Sequence, residues 1–157
     1  KNITFDKIKL RASIYTGDFI IDSFNYFPIT TDNYYSFPDQ FDWQGKKQMF
    51  FSKEFEKNYF SKSFKINKEI ENAYVLGSSP GNNYYRNIFT FLYRLFFITD
   101  SEINLAIHRN TSNNIKNHIR HILDLKKIKI NKFIYLDDGF YLFKNSQIPC
   151  FLNLKVT

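Results

Sequence analysis

The chain has 157 residues, one ordinary domain's length, and its 43% hydrophobic and 20% aromatic content excludes a disordered chain. One cysteine, Cys150, excludes an internal disulfide and a cysteine-based zinc cluster, and suits a reducing compartment. Lys and Arg outnumber Asp and Glu by 22 to 15, and the net charge of +7 favours anionic partners of an unspecified kind.

In chain order, residues 1–72 read as strands and turns. Ile3–Leu10 alternates imperfectly, and Ala12–Tyr15 is a short strand. Thr16-Gly17-Asp18 is a turn signal, and a β-rich run follows from Phe19 to Phe27. Pro28 and Pro38 end extended segments, and Asp39–Lys47 reads as a polar surface loop. Met49–Phe60 has a helix-like spacing of apolar residues.

The pattern changes near residue 72. Ala73–Leu76 is a short apolar strand, followed by the loop Gly77-Ser78-Ser79-Pro80-Gly81-Asn82-Asn83. Tyr84–Ile98 repeats apolar residues at Tyr85, Ile88, Phe89, Leu92, Leu95 and Phe96, which predicts an amphipathic helix. Ile103–Ile107 is a strand, and Thr111-Ser112-Asn113 is a capping cluster. Ile115, Ile119, Ile122 and Leu123 mark a second helix ending near Leu125, with Lys126 and Lys127 where cations favour a helix C-terminus. Lys132–Leu136 is a strand, Asp137-Asp138-Gly139 a tight turn, and Phe140–Phe143 and Ile148–Leu152 further strands. Residues 73–136 thus read β-α-β-α-β, which predicts a parallel sheet with helices on its faces. The fold class is α/β: a β-rich segment over 1–72, then half a Rossmann-like sheet over 73–157.

The longest nearly apolar run, Ile88–Ile98, is broken by Arg94 and falls short of the ~20 residues of a membrane span. No signal peptide is recognisable, and a chain that starts at Lys1 reads as a piece of a longer one. The abundant Phe, Tyr, Ile, Lys and Asn share A/T-rich codons, which discounts the positive charge.

Four groups of residues could carry chemistry. The first is the strand–loop–helix junction Gly77–Arg86. Loops at the carboxyl ends of parallel strands bind ligands in α/β folds, and a helix start there suits an anion. Asn82, Asn83 and Arg86 add donors, although the loop has neither G-x-G-x-x-G nor G-x-x-x-x-G-K-[ST] spacing. The plain alternative is an N-cap with a solvated first turn. The second is Asp137-Asp138-Gly139, whose carboxylates could act in acid/base work or hold a metal; D-G between apolar runs is also a hairpin turn. The third is the histidines. His118 and His121 stand i, i+3 on a helix but lack the Glu of H-E-x-x-H, and exposed helix positions explain them. His108 follows a strand and is the histidine best placed for catalysis, with Arg109 beside it as a candidate substrate contact. The fourth is the basic group Lys126, Lys127, Lys129 and Lys132, which suggests nucleic acid or, more simply, a solvated turn. There is no nucleophile elbow, Cys–His arrangement or cofactor fingerprint.

One segment goes beyond its spacing. Asn83-Tyr84-Tyr85-Arg86-Asn87-Ile88-Phe89-Thr90-Phe91-Leu92-Tyr93-Arg94-Leu95 resembles the N-Y-x-H-W-x-x-D-x-L-P-R-L helix of family 61 glycosyltransferases, with Asn83, Tyr84, Leu92, Arg94 and Leu95 at matching positions. The strand and small-residue loop before it also match, as do the strand, polar turn, helix and strand after it, so the likeness covers residues 73–152. The family's His falls on Arg86, its Trp on Asn87, its Asp on Thr90 and its Pro on Tyr93. Arg cannot serve as a base near neutral pH, so a catalytic role of that His is lost or replaced by an anion contact.

The resemblance implies the N-terminal, acceptor-side half of a GT-B-like, metal-independent bacterial enzyme for a surface polysaccharide, inactive by itself. The implied reaction is inverting transfer from a nucleotide sugar to a glycan hydroxyl. It needs no cofactor beyond the donor sugar nucleotide and no metal. Expected substrate contacts are Asn82, Asn83, Tyr84, Arg86 and Arg109. Asp137 (or Asp138) and His108 are the catalytic candidates, and Arg94 is a structural ion-pair partner. Expected partners are the glycan acceptor and the nucleotide sugar, in the cytoplasm and with peripheral association at the membrane's inner face. Nucleic acid is disfavoured and the oligomeric state is open. The alternatives are a non-catalytic α/β binding or scaffold module, and a basic nucleic-acid-binding domain.

Overall fold

The computed structural model of the chain describes residues 12–23, 27–30, 65–77, 84 and 87–151. Its centre follows from three aliphatic runs. β4 (Tyr74–Gly77), β5 (Glu102–His108) and β6 (Lys129–Leu136) pair in parallel, β4 with β5 and β5 with β6. All four residues of β4 and the last four of β5 are buried, as expected of parallel strands covered on both faces.

The side chains of these strands alternate between two cores. On one face Tyr74, Leu76, Leu105 and Ile107 meet a helical layer through Leu92, Leu95, Ile115, Ile119 and Leu123. On the other face Val75, Ala106 and Leu136 share a cluster with Phe19, Ile21, Ile70, Tyr141 and Phe143. The second group comes from β1 (Ala12–Asp22), β3 (Ile66–Glu71) and β7 (Phe140–Phe151). One seven-stranded sheet runs β2-β1-β7-β4-β5-β6, with β2 spanning Phe27–Thr30 and β3 also paired to β7. Among the described residues four of the six strand pairings are parallel, so the fold there is mixed α/β with a mostly parallel sheet and few helices.

A bend lets one sheet cover its own face. The chain turns between β3 and β4 at Asn72 (φ 52°), and β7 turns at Asn145 (φ 44°). The two asparagines are joined by Asn145 Nδ2 donating to Asn72 Oδ1 at 2.7 Å. Asn tolerates this left-handed backbone better than most residues. The β1–β7–β3 part then lies over the β4–β5–β6 part, with Phe19 and Phe143 stacked at 5.4 Å between ring centroids. The boundary expected near residue 72 coincides with this bend, and the sheet is hydrogen-bonded through it.

Several sequence expectations are corrected. Helices were expected on both faces of the sheet; among the described residues they cover one, and folded-over strands cover the other. Thr16-Gly17-Asp18 is not a turn but a bulge within β1, where the register with β7 shifts. Gly17 takes φ +152° there. Pro28 does not end a strand: it lies within β2, which pairs only with β1 among the described residues, and such an edge strand tolerates a missing N–H. The two expected last strands are one, β7. Asp137-Asp138-Gly139 is not a hairpin turn, because β6 pairs with β5 and β7 with β1, β3 and β4.

The largest departure is the helix expected over 84–98. Residues 87–91 form a π-helical turn and residues 92–97 a 3₁₀ helix. Widening and then tightening the coil breaks the 3.6-residue period, so Phe91 and Arg94 turn inward while Ile88 and Phe96 lie exposed. Arg94 is fully buried, and its Nη1 donates to Leu76 O at 2.7 Å, while Tyr74 Oη donates to Arg94 O at 2.7 Å. These bonds tie the 3₁₀ helix to β4.

α1 (Asn113–Leu125) forms as its sequence predicts, with Ile115, Ile119 and Leu123 buried along one stripe. Ser112 caps it, its Oγ accepting from Ile115 N. Lys126 caps α1 through its backbone N–H, which donates to Ile122 O at 3.1 Å, but its side chain serves another element. Its Nζ donates to Leu95, Phe96 and Ile98 carbonyls at 2.9–3.1 Å, closing the 3₁₀ helix. Burial lowers the pKa of this ammonium below its ordinary value. The readings for Ile3–Leu10, Pro38, Asp39–Lys47 and Met49–Phe60 lie outside the described residues, as do Asn82, Asn83 and Arg86.

Candidate functional site at the carboxyl edge of the sheet

β5 and β6 end side by side, with His108 paired to Leu136. Parallel strands that stop together deliver the residues after them to one rim, where α/β folds bind ligands. His108 and Arg109 thereby meet Asp137 and Asp138, about 30 residues later.

The pairing is crossed. Arg109 takes Asp137 in a two-pronged bond, Nε to Oδ1 at 2.5 Å and Nη2 to Oδ2 at 3.1 Å. The bond from Arg109 holds Asp137's carboxyl below the usual carboxylate range and raises the guanidinium above its own. Both Asp137 oxygens are occupied. The Arg109 guanidinium also lies over the Tyr135 ring, 5.9 Å from its centroid.

His108 is 3% exposed and takes Asp138 instead, Nε2 to Oδ1 at 2.7 Å. Its Nδ1 accepts from the backbone N–H of Asn110 at 3.2 Å. A backbone N–H can only donate, so Nδ1 holds a lone pair and Nε2 carries the hydrogen given to Asp138. In this arrangement the imidazole turns no lone pair to solvent. Asp138's side chain is 67% exposed, and its Oδ2 has no hydrogen-bond partner among the described residues. The rim thus presents one carboxylate that is fixed from behind and open in front.

The backbone of the turn is held from several strands. Ser23 Oγ donates to Asp137 O at 2.6 Å, and Ser23 N donates to Gly139 O at 2.9 Å. Tyr141 Oη accepts from Asp137 N at 3.0 Å. Gly139 has φ +143°, and a Cβ there would meet Asn67 Nδ2 at 2.1 Å. The link from β6 to β7 is therefore fixed in place, as a preorganised site requires.

A cavity of about 410 Å³ opens on the helical side, where the first turn of α1 meets Tyr84 and the π-helical turn. Ser112, Asn114, Asn117 and His118 contribute polar groups, with the buried Asn87 beneath. Tyr84, an expected substrate contact, is exposed and lines this cavity. His118 lines it and His121 does not, although both are exposed on α1. Among the described residues no three His, Cys, Asp or Glu side chains gather as a metal site would need. In the basic group, Lys126 is committed to carbonyls and Lys129 pairs with Glu102 at 3.5 Å. Among the described residues no helix is long and apolar enough to cross a membrane.

Sequence reasoning named His108, Arg109 and Asp137, which the fold does bring together. It put Asp137 first and Asp138 second as the catalytic carboxylate, and only the crossed pairing separates them. Ser23 and Asn67 were missed, because neither stands near a motif and both reach the turn from far along the chain. No family model, curated protein or solved structure matches this chain.

Proposed function

We propose that this chain is the acceptor-side part of an inverting glycosyltransferase resembling family 61, moving a sugar from a nucleotide sugar to a glycan hydroxyl, with a GT-B-like half-Rossmann core. One observation carries the reading: an exposed carboxylate, Asp138, held by a buried histidine at the carboxyl ends of two adjacent parallel strands. The cavity beside Tyr84, in the segment that carries the family likeness, adds support.

The base role, which the sequence leaves between Asp137 and Asp138, belongs to Asp138 in this proposal. Asp138 Oδ2 accepts the proton of the acceptor hydroxyl as that oxygen attacks the anomeric carbon of the donor. The bond from that carbon to the diphosphate oxygen breaks, and the diphosphate leaves with the electron pair. His108, giving its Nε2–H to Oδ1, orients the carboxylate. Arg109 keeps Asp137 out of this chemistry. Arg86 is the proposed anion contact.

The test is sugar transfer to glycan acceptors from a panel of nucleotide sugars, run with the whole transferase of which this chain is proposed to be a part. Asp138→Asn is expected to lower kcat by about 10²–10⁴, the usual worth of a positioned base, with KM little changed. Asp137→Asn is expected to act more weakly. Equal activity of the parent and Asp138→Asn proteins would remove the proposal.

A second reading is a non-catalytic binding module. It is favoured by the occupation of both His108 nitrogens and both Asp137 oxygens within the turn itself. On that reading Asp138→Asn leaves ligand affinity unchanged and no transfer is seen with any donor.

A further inference from the structure

The opposite end of the parallel strands carries a second cleft. It holds about 350 Å³, near the small end of the ~300–1,000 Å³ range of ligand pockets. It opens where the two sheet halves bend apart at Asn72 and Asn145, beside the starts of β4, β5 and β6. We infer that this cleft is a binding site for a neutral saccharide, separate from the carboxyl-edge site.

The polar lining supports that chemistry. Four of the five cleft carboxamides use their NH₂ within the protein, and the fifth, Asn72, accepts at Oδ1 instead. Asn104 Nδ2 donates to Asn72 O at 3.0 Å, and Asn145 Nδ2 donates to Asn72 Oδ1 at 2.7 Å. Asn131 Nδ2 donates to Glu102 Oε2 at 3.0 Å, and Gln147 Nε2 to Asp100 Oδ2 at 3.1 Å. Those bonds fix the amide planes. The four amide oxygens have no hydrogen-bond partner among the described residues, and each NH₂ keeps a second hydrogen to give.

A surface that accepts and donates at fixed points suits hydroxyl groups, which do both. Ala73 and Ile103 add apolar contacts of the kind that meet the C–H face of a sugar ring. No Lys, Arg or His lines the cleft while Asp100 and Glu102 do, so it offers a phosphate no cation, and the nucleotide donor of the proposed reaction is the wrong ligand for it. The backbone beneath is held as well, by Asn72 N to Lys144 O at 3.0 Å and Gln147 N to Ala73 O at 2.8 Å. Little reorganisation is then needed on binding.

The test is a titration of the full chain with glucose, xylose and N-acetylglucosamine, followed by the side-chain amide resonances of Asn104, Asn131 and Gln147. At least one sugar is expected to shift these signals and leave His108 and Asp138 unmoved. Asn131→Ala and Asn104→Ala, checked for an unchanged melting profile, are each expected to weaken binding about fivefold to tenfold, the worth of roughly one hydrogen bond. Asp138→Asn should bind as the parent does, so failure at one rim is not failure at the other. Spermidine and calcium are the competing probes. Shifts of the cleft amides by either of these without any by the sugars, sugar shifts confined to the carboxyl edge, or no shift at all would overturn the inference.

Discussion

Replacing Gly139 by alanine tests how firmly the Asp137–Gly139 turn is held. The residue has φ +143°, a region that side chains with a Cβ avoid, at a cost of about 1–3 kcal/mol. The new Cβ would also stand 2.1 Å from Asn67 Nδ2 and 2.9 Å from Asn67 Cγ. Asn67 is exposed and can swing away, but it then gives up its 3.4 Å contact with Asp138 O, worth no more than about 0.5 kcal/mol. The sum is about 1–3.5 kcal/mol, dominated by the backbone. For a chain of this size that lowers Tm by about 3–11 °C. Urea melts of Gly139→Ala, Asn67→Ala and the double variant separate the two parts. The double variant should match Gly139→Ala, because both lack the Asn67 contact with Asp138 O. A Gly139→Ala protein within about 0.5 kcal/mol of the parent at equal m-value would refute the reasoning, as would full rescue by Asn67→Ala.

Four further outcomes are expected. Ser23→Ala removes a buried hydroxyl bonded to Asp137 O and should cost about 1–2 kcal/mol in a denaturant melt, and it should loosen Asp138 as read by faster amide exchange across 137–139. Lys126→Met leaves the Leu95, Phe96 and Ile98 carbonyls without their donor and should cost about 1–3 kcal/mol in the same assay. Phe143→Ala, which empties a fully buried site stacked on Phe19, should cost about 3–5 kcal/mol. Asp137's carboxyl pKa is lowered from the ordinary 3.8 in the folded chain. Its contribution to stability is therefore complete above the unfolded value and is lost as pH falls through the lower, folded one. Thermal melts below about pH 4 should show that loss in the parent, and Arg109→Gln should flatten it.

How far the sequence could be read depends on the range of the interactions. The β4-β5-β6 strands and α1 were legible because local signals agree with the packing: aliphatic runs in Ile103–Ile107, an Ile115–Ile119–Leu123 stripe, and a Ser112 cap. The 84–98 helix was misread because Arg94 is buried and bonded to Leu76 O, a tertiary demand that overrides the 3.6-residue period. The folding of β1, β3 and β7 over the sheet was hidden as well, since it depends on bends at Asn72 and Asn145, two ordinary-looking asparagines 73 residues apart. At the rim, the strand end seen in the sequence places His108 and Arg109 at the end of β5, where the structure has them. Nothing local tells Asp137 from Asp138, because their difference lies in which of those two partners each one meets.

The most direct test of the carboxyl-edge account is a backbone resonance titration of the full chain with nucleotide sugars and with acidic glycans. Binding should shift residues 108–110 and 137–139 together with Tyr84 and the first turn of α1, and Asp138→Asn should alter the response to the glycan. Saturating additions that leave all of these resonances in place, or shifts confined to other parts of the sheet, would contradict it.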